Sequence, residues 1–372
     1  MIKVGINGFG RIGRIAYRIG LLKHSHELEF AAINTSGSMP ATGWAHLVNH
    51  DTMYRTFEKK VRGEDVKPPE EATNEDPLIG YLTTDLGQVP VLAQKDPEKI
   101  PWRKYEVDIV IESTGKFVTE EDAKKHGIGG ARRVVISAPT KGGNVGTYIL
   151  GVNEYKGDED IKIDVLSNSS CTTNCVAPVA AVLHSKFGIE KAMMTTIHSY
   201  TDDQNLQDNS HRDLRRARAA SENIIPTSTG AAISTTETIP ELKGLFDGMS
   251  LRVPTATGSI TDFTLLLKED VSVEEVNEAF IEASENALYR GILGVTNEPL
   301  VSSDIIGRSE SAIVDLSLTQ VVAGNMVKVF AWYDNEWGYA NRLVEQVLRV
   351  GRTLGSDVTS PTDPLTLSFK TR

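Results

Sequence analysis

The chain has 372 residues, of which 40% are apolar and 24% are charged, and its net charge is −11. Its length exceeds one average core and favours two domains, while its composition is that of a soluble globular protein. Fifty acidic residues against 39 basic ones oppose binding to phosphate backbones and anionic lipids. The charge balance therefore argues against a nucleic-acid partner. No apolar run approaches the ~18 residues that a membrane span needs, so we expect no membrane partner either.

The N-terminus and the cysteine content indicate a reducing compartment. "MIKVGING" enters a strand at residue 2, with no charged leader before an apolar stretch, so no signal peptide is expected. Cys171 and Cys175 are the only cysteines, and at this spacing they cannot crosslink a chain of this size. We therefore predict free thiols and a cytoplasmic protein.

The first half of the chain is typical of an α/β domain. A glycine turn, "GFGRIG" (8–13), follows the first strand and precedes an apolar helical segment at 14–22. The segments with the apolar pattern of buried strands are 2–7, 28–34, 107–114, 132–139 and 162–168. A strand, a crossover helix and a second strand predict a parallel sheet.

Two segments depart from this pattern. Residues 62–80 are polar, acidic and proline-bearing, which predicts a surface loop or insertion rather than a domain linker. Residues 355–372 are rich in Pro, Ser and Thr and are predicted to form a tail. The sequence assigns no role to either segment.

After residue 171 the chain changes to long alternating segments, which favour an antiparallel sheet. These segments are 192–201, 250–269 and 311–335, the last with an "AGN" turn signal, and helices are predicted at 171–187, 272–288 and 341–351. The fold class is therefore α/β, a Rossmann-type dinucleotide-binding domain followed by an α+β catalytic domain on a mostly antiparallel sheet. The predicted bounds are 1–170 with the closing helix 336–354 for the first domain, 171–335 for the second, and 355–372 for the tail.

The glycine turn is a candidate pyrophosphate site. Gly8, Gly10 and Gly13 form GxGxxG between a strand and a helix, where backbone N–H groups at the helix N-terminus can approach a pyrophosphate. A glycine-rich turn without a ligand is the alternative.

The end of the second strand lacks the carboxylate that this fingerprint places on the adenosine ribose. Asn34 is followed by Thr35 and Ser36, so the negative charge that would exclude a 2′-phosphate is missing. Hydroxyl and turn N–H groups could bind such a phosphate. The alternative is an NAD site with weaker ribose contacts.

The polar stretch "LSNSSCTTNC" (166–175) indicates a nucleophile. Cys171 follows a strand and opens a predicted helix, whose N–H groups and dipole stabilise a thiolate. Cys175, one turn later, is interpreted as a packed small residue, and CxxxC without a matching Cys or His pair argues against a metal. His198, in "TTIHSYT", is the candidate base, although a histidine there can also be a core residue.

Nine ordered segments resemble the phosphorylating glyceraldehyde-3-phosphate dehydrogenases over nearly the whole chain. They are "INGFGRIGR", "ESTGKF", "ISAPTK", "SNSSCTTNC", "TTIHSYT", "LRRARAA", "IIPTSTGAA", "LRVPT" and "WYDNEWGY". The resemblance implies that Cys171 adds to an aldehyde as a thiolate and that His198 is the base. Hydride transfer then leaves a thioester that inorganic phosphate attacks, giving 1,3-bisphosphoglycerate from glyceraldehyde 3-phosphate.

The same resemblance implies the binding residues and the assembly. The substrate-phosphate site would be Thr201, Asp203 and Arg252, and the attacking-phosphate site would be Ser170, Thr172, Thr229 and Gly230. The cofactor residues would be Gly8, Gly10, Arg11, Ile12, Gly13, Asn34, Thr35, Ser36, Ser137, Ser210, Asn335 and Tyr339, with no metal. The basic cluster at 211–220 resembles a loop that lines the cofactor site of a neighbouring subunit, which implies a homotetramer.

Three positions depart from the family pattern. The family's NAD-specific members have Asp where Thr35 stands and Pro where Ser210 stands, so we predict that NADP is accepted as well as NAD. Ile233 replaces a usual Lys and removes a charge near the anion sites. Two other functions stay open: an erythrose-4-phosphate dehydrogenase, in which hydrolysis replaces phosphorolysis, and a redox-sensing or moonlighting binding protein that keeps the fold without turnover.

Overall fold

Two large sheets with helices packed against them, together with a small two-stranded sheet, form the protein in this computed structural model, which describes residues 1–153, 155 and 164–354. In chain order the strands are β1 (Ile2–Asn7), β2 (Leu28–Thr35), β3 (His50–Asp51), β4 (Arg55–Thr56), β5 (Arg62–Asp65), β6 (Leu78–Thr84), β7 (Gly87–Ala93), β8 (Ile109–Glu112), β9 (Arg133–Ile136), β10 (Gly146–Thr147), β11 (Asp164–Ser167), β12 (Ile189–Ser199), β13 (Ile225–Ser228), β14 (Phe246–Val253), β15 (Ser259–Leu267), β16 (Leu293–Thr296), β17 (Ala312–Asp315), β18 (Gln320–Val322) and β19 (Met326–Tyr333). The α-helices are α1 (Arg11–Lys23), α2 (Ala41–Asn49), α3 (Glu120–Lys124), α4 (His126–Gly129), α5 (Cys171–Phe187), α6 (Ala231–Thr238), α7 (Val273–Glu285) and α8 (Trp337–Thr353).

The first sheet has the order β10-β11-β9-β8-β1-β2-β7-β6-β5. Neighbouring strands from β10 to β7 run parallel, and β6 and β5 add an antiparallel edge. β1 lies between β2 and β8, so the strand order reverses at the end of β1. Ligands of open α/β sheets bind at such a point, beyond the carboxyl ends of the strands.

Apolar side chains bury both faces of this sheet. On one face α1 and α8 pack over β1 and β2, and on the other the indole of Trp102 packs with Val110 of β8 and Val134 of β9. Strands that are buried on both faces have continuous apolar sequences, which explains why these segments were recognisable. The closing helix α8 thus packs on the first sheet although it follows the second one in the chain.

The second sheet has the order β13-β14-β12-β15-β19-β17-β16, with β18 paired to β19. It is mostly antiparallel, as predicted, with parallel pairs at β12–β14 and β16–β17. Helices α5 and α7 pack against one face through Val176, Val179 and Phe280. On the opposite face Met193 and Met249 are exposed. The "AGN" turn joins β18 to β19, with Ala323 and Gly324 in the left-handed region.

Several predicted bounds need correction. Helix α1 begins at Arg11 rather than at residue 14, because the second half of the glycine turn already forms the first helical turn. Helix α8 begins at Trp337 rather than at 341, because Asp334 Oδ1 accepts hydrogen bonds from the backbone N–H groups of Glu336 and Trp337 at 2.9 and 2.8 Å. Residues 162, 163 and 355–372 lie outside the described residues.

The interpretation of residues 62–80 as a surface loop is wrong at both ends. Strand β5 pairs with β6, which starts at Leu78, and the segment between them holds a short 3₁₀ helix, Pro69–Glu71, within otherwise irregular chain. An edge strand pairs on one side only and tolerates the charged side chains that made this stretch look like a loop.

Candidate functional site

The glycine turn has the geometry of a dinucleotide site. Gly8 has φ +96°, and a Cβ there would lie 2.7 Å from the backbone of Ser113 and Thr114. A Cβ on Gly13 would lie 2.2 Å from the carbonyl oxygen of Gly8, whereas a Cβ on Gly10 would meet no atom within 4 Å. Glycine is therefore required for close packing at positions 8 and 13, and Gly10 faces open space, as a bound pyrophosphate requires.

Arg11 and Ile12 form the first turn of α1, so their backbone N–H groups point towards this open space. The guanidinium of Arg11 is held elsewhere. Its Nη1 donates to Asp51 Oδ2 and its Nε donates to Glu336 Oε1, both at 2.7 Å. The side chain therefore ties α1 to the start of α8. Any hydrogen bond that Arg11 makes to a pyrophosphate comes from its backbone N–H.

A buried polar network supports the turn from below. Asn34 Nδ2 donates to Asn7 Oδ1 at 2.7 Å, and Asn7 Nδ2 donates to Glu112 Oε2 at 2.5 Å. His126 Nε2 lies 2.9 Å from the same carboxylate oxygen, and Trp102 Nε1 donates to His126 Nδ1 at 3.0 Å. Because the indole can only donate, Nδ1 is the acceptor and Nε2 carries the proton towards Glu112. No local pattern in the sequence indicates this network.

The end of β2 exposes only part of the predicted ribose site. Thr35 is buried, and its hydroxyl donates to the carbonyl oxygen of Leu92 at 2.9 Å and accepts from Gly37 N at 3.2 Å. Ser36 and Gly37, by contrast, line an open cleft of about 740 Å³. The hydroxyl that can meet an adenosine ribose is therefore that of Ser36.

Cys171 is the first residue of α5, as the sequence predicted. Ser170 caps the helix by accepting from Thr173 N at 3.1 Å, and Ser169 adopts a left-handed φ of +53° before it. Burial raises the pKa of the thiol, while Arg252, the Thr172 side chain and the N–H groups of Thr172 and Cys171 lower it. Since the net pKa is raised, the thiol needs a base to ionise it near neutral pH.

His198, near the end of β12, is placed to act as that base. Its Nε2 lies 3.3 Å from Cys171 Sγ, and its Nδ1 lies 2.6 Å from the carbonyl oxygen of Ser199. Arg252 Nη1 lies 3.0 Å from the same Nδ1, but it also donates to the Ser199 carbonyl at 3.1 Å. The shorter contact of Nδ1 is with that carbonyl, which can only accept, so Nδ1 carries the proton and Nε2 is free to take one from the thiol. Burial and the nearby charge of Arg252 lower the pKa of His198 to about 3, so the imidazole is neutral.

Cys175 is fully buried one turn further along α5, with its sulfur facing the carbonyl oxygen of Ala331. Both cysteines are free. This confirms that Cys175 is a packed residue. Within the described ranges no group of three or more His, Cys, Asp or Glu side chains is placed to hold a metal ion.

Arg252 of β14 contacts both His198 and Thr201, a residue predicted for the substrate-phosphate site. Its Nη1 donates to the carbonyl oxygen of Ser199 at 3.1 Å and to Thr201 Oγ1 at 3.4 Å. Burial lowers the pKa of Arg252, and the positive charge of Arg216 lowers it further. Asp203, beside Thr201, forms an ion pair with Arg216. Two guanidinium groups therefore converge on one region, where an anionic ligand would relieve their repulsion.

The residues predicted for the attacking phosphate are brought together only in part. Ser170 stands at the N-terminus of α5, and Thr229 and Gly230 stand at that of α6. Thr172 is buried, and its hydroxyl bonds to Tyr333 Oη at 3.0 Å, so any contact with a phosphate comes from its backbone. Ile233 is exposed on α6.

The remaining predicted cofactor residues take different positions. Asn335 Oδ1 accepts from Gly258 N at 3.1 Å, which leaves Nδ2 without a hydrogen bond in the described chain and able to donate to a carboxamide. Tyr339 is buried, and its hydroxyl donates to the carbonyl oxygen of Ser169 at 2.8 Å, so it supports the turn before Cys171. Ser137 is half-buried just after β9, and Ser210 is exposed on the loop after β12.

One further candidate side chain is visible only in the structure. In the sequence Arg216 is one member of the basic cluster 211–220, whereas in the structure its Nε donates to Thr227 Oγ1 at 2.9 Å, close in the chain to the predicted anion residue Thr229. The signal in the sequence is a basic cluster within an acidic chain. The position of the Arg216 side chain depends on how the loop folds, which spacing does not indicate.

Comparisons with known proteins agree with this arrangement. Residues 2–120 match the model of the glyceraldehyde 3-phosphate dehydrogenase NAD binding domain, and residues 170–335 match that of the C-terminal domain of the same family. The chain belongs to the glyceraldehyde-3-phosphate dehydrogenase family. This confirms the resemblance, the fold class and the dehydrogenase chemistry that the motifs predicted.

Relatives match over nearly their full length. Glyceraldehyde-3-phosphate dehydrogenase 2 of Streptomyces avermitilis is 48% identical over 353 residues, which cover 95% of this chain and 99% of that protein. Glyceraldehyde-3-phosphate dehydrogenase 1 of Bacillus cereus is 47% identical over 345 residues, or 93% and 97% of the two chains. Among the helices that the structure describes, none has the length and apolar character needed to cross a bilayer.

Proposed function

We propose that the protein oxidises glyceraldehyde 3-phosphate to 1,3-bisphosphoglycerate, reversibly, with NAD(P) and inorganic phosphate. The observation that supports this most directly is the contact of 3.3 Å between Cys171 Sγ and His198 Nε2, beside Arg252. A thiol with a neutral base forms a thioester, and a cationic pocket holds the phosphate of the substrate.

In the first step His198 Nε2 takes the proton of the thiol while Cys171 Sγ adds to the aldehyde carbon. The imidazolium returns this proton to the aldehyde oxygen and gives a thiohemiacetal. His198 then removes the hydroxyl proton as the hydride leaves the same carbon, which gives the thioester. NAD(P), when bound, would supply the hydride acceptor, and the free Nδ2 of Asn335 would hold its carboxamide.

In the second step an unprotonated oxygen of inorganic phosphate attacks the thioester carbonyl, and Cys171 leaves as a thiolate that takes back the proton held by His198. The proton that remains on the phosphate dissociates to solvent. The N-termini of α5 and α6 offer backbone N–H groups to this phosphate at Ser170 and Gly230. Arg216 adds a positive charge nearby. A thioester retains the energy of aldehyde oxidation that a free acid would lose, which is the chemical reason for a cysteine nucleophile.

The cofactor site is proposed to accept NADP as well as NAD. Supporting this, β2 ends without a carboxylate, and the exposed Ser36 offers a hydroxyl to a 2′-phosphate. Ser210, the other predicted determinant, is exposed on a loop that would meet the cofactor of a neighbouring subunit. Turnover with both cofactors, measured as kcat/KM, checks the prediction.

The protein is further proposed to be a cytoplasmic homotetramer, with domains 1–170 plus 336–354 and 171–335. The packing of α8 on the first sheet supports the domain bounds. Exposed apolar side chains support assembly, since such surfaces mark interfaces: Leu206, Leu214 and Ile224 on the loop after β12, and Met193 and Met249 on the second sheet. Light scattering after size-exclusion chromatography measures the oligomeric state.

The activity is tested by following reduced nicotinamide with glyceraldehyde 3-phosphate, with and without inorganic phosphate. The expected result is turnover that depends on phosphate. Erythrose 4-phosphate oxidation without phosphate dependence would instead identify the alternative dehydrogenase. Binding of cofactor without turnover of either sugar phosphate would support a binding protein and contradict the proposal.

A further inference from the structure

The segment between β5 and β6 forms one wall of the open cleft at the carboxyl end of β2. Ser36 and Gly37, at the carboxyl end of β2, line the cleft on one side. Glu70 and Glu75, from the irregular segment 66–77, line it on the other. The acidic stretch that the sequence left without a role therefore faces the place where the fold puts the adenosine ribose.

This segment is tied to the sheet by specific bonds. Ala93 N donates to the carbonyl oxygen of Pro77 at 2.8 Å, and Gln94 Nε2 donates to Asn74 Oδ1 at 3.1 Å. A turn is closed by Asp76 N, which donates to Thr73 Oγ1 at 3.1 Å. Since β7 pairs directly with β2, these contacts fix the segment next to the ribose position.

The charges that face the cleft are mostly negative. Glu70, Glu75 and Asp96 line it against a single cation, Lys95, so three carboxylates oppose one ammonium group. Asp96 caps a short helix and pairs with Lys99, whereas Glu70 and Glu75 have no ion-pair partner in the part of the chain described. Their negative charges are therefore not neutralised by a neighbouring cation and act on a ligand in the cleft.

We propose that Glu70 and Glu75 are specificity-determining residues that take over the role of the carboxylate missing from β2. They accept hydrogen bonds from the ribose hydroxyls of NAD and repel the 2′-phosphate of NADP. The site then admits NADP because β2 itself carries no acid. It still favours NAD, because Glu70 and Glu75 repel the 2′-phosphate from the other side of the cleft. This inference rests on the proposed dehydrogenase function.

The test compares E70Q/E75Q with E71Q as a matched control. Glu71 adjoins Glu70 on the same short turn but does not line the cleft. The ratio of kcat/KM for NADP to that for NAD should rise roughly tenfold in the double variant, since each removed charge lies near a doubly charged phosphate. It should be unchanged in E71Q, and 0.5 M NaCl should reduce the difference. An unchanged ratio in the double variant, or an equal rise in E71Q, would overturn the proposal.

Equilibrium binding separates this inference from the proposed function. Calorimetric titration of the full chain with NAD and with NADP measures the same ratio without turnover. If the wild type binds both cofactors but lacks phosphate-dependent activity, the proposed function fails while the binding ratio still tests Glu70 and Glu75. If activity is present and the Kd ratio does not change in the double variant, only the specificity proposal fails.

Discussion

The catalytic end and the adenosine end of the cofactor site are built differently. At the catalytic end His198 and Asn335 are 3% and 5% exposed, and each is held by hydrogen bonds to neighbouring backbone. At the adenosine end Ser36, Glu70 and Glu75 are exposed around an open cleft. At the catalytic end, burial fixes the positions of the side chains and lowers the pKa of His198. At the adenosine end, the charges of Glu70 and Glu75 act through solvent.

This difference predicts how each region responds to substitution. Removing a group from the buried end leaves unpaired partners and misplaced reacting atoms, which costs orders of magnitude in rate. Changing a charge at the open end alters an interaction that solvent and salt screen, so it shifts the preference between NAD and NADP by a modest factor. The following substitutions test the contrast in decreasing order of effect.

Replacing the nucleophile should have the largest effect. Cys171→Ser is expected to lower kcat by roughly 10⁴-fold or more, because a hydroxyl is a much weaker nucleophile beside a neutral imidazole. Steady-state assays with glyceraldehyde 3-phosphate measure it. Cys175→Ala, one turn away, is the control and should retain activity. Residual turnover in Cys171→Ser close to that of the wild type would end the catalytic interpretation.

Replacing the base should cost less. His198→Asn is expected to lower kcat by about 10²- to 10⁴-fold, the usual contribution of a general base. The rate of Cys171 alkylation by iodoacetamide should fall with it at neutral pH. If alkylation and kcat both stay unchanged, the thiol does not depend on His198.

The same variant tests the pKa of His198 through stability. A folded-state pKa of about 3 lies below the unfolded value near 6.5, so the unfolded chain binds more protons between these pH values. The contribution of His198 to stability is therefore full above pH 6.5 and is lost as the pH falls towards 3. Urea unfolding from pH 7 to 4 should show a smaller acid-side loss in His198→Asn than in the wild type.

Removing the charge of Arg252 should act mainly on the substrate phosphate. Arg252→Gln is expected to lower kcat/KM for glyceraldehyde 3-phosphate by roughly 10- to 100-fold, the value of a hydrogen bond to a charged group. Glyceraldehyde without the phosphate should lose much less. The exposed Arg290 offers a control substitution in the same domain. Equal losses for both aldehydes would contradict a phosphate role.

The smallest effect is expected below the glycine turn. Glu112→Gln places an amide among the donors Asn7, Thr114 and His126 and should lower the free energy of unfolding by about 1–2 kcal/mol. Urea unfolding measures this. The KM values for NAD and NADP should rise together, with their ratio unchanged, because the carboxylate supports the turn and does not face the cleft. A changed ratio of the two KM values would show that the network below the glycine turn is coupled to the adenosine end of the cofactor site.

Much of the buried region could be predicted from the sequence. Apolar runs marked the parallel strands, GxGxxG marked the turn after β1, and the residues around Cys171 marked a helix start with the bounds observed. These signals are local, since burial, helix capping and tight turns each require particular residues at fixed spacings. The sequence context of His198 made it the candidate base for Cys171, and the family resemblance implied its role, whereas spacing indicated neither.

What the sequence by itself determined is the set of chemical groups and the elements that carry them. Tertiary structure alone decided which groups face one another. It bonded the hydroxyls of Thr172 and Tyr339 to buried partners, brought Arg216 close to residues predicted for the anion site, and placed the 66–77 segment across the cleft from Ser36. Contacts of this kind join residues far apart in the chain, and they depend on strand order and loop direction, which local pattern does not encode.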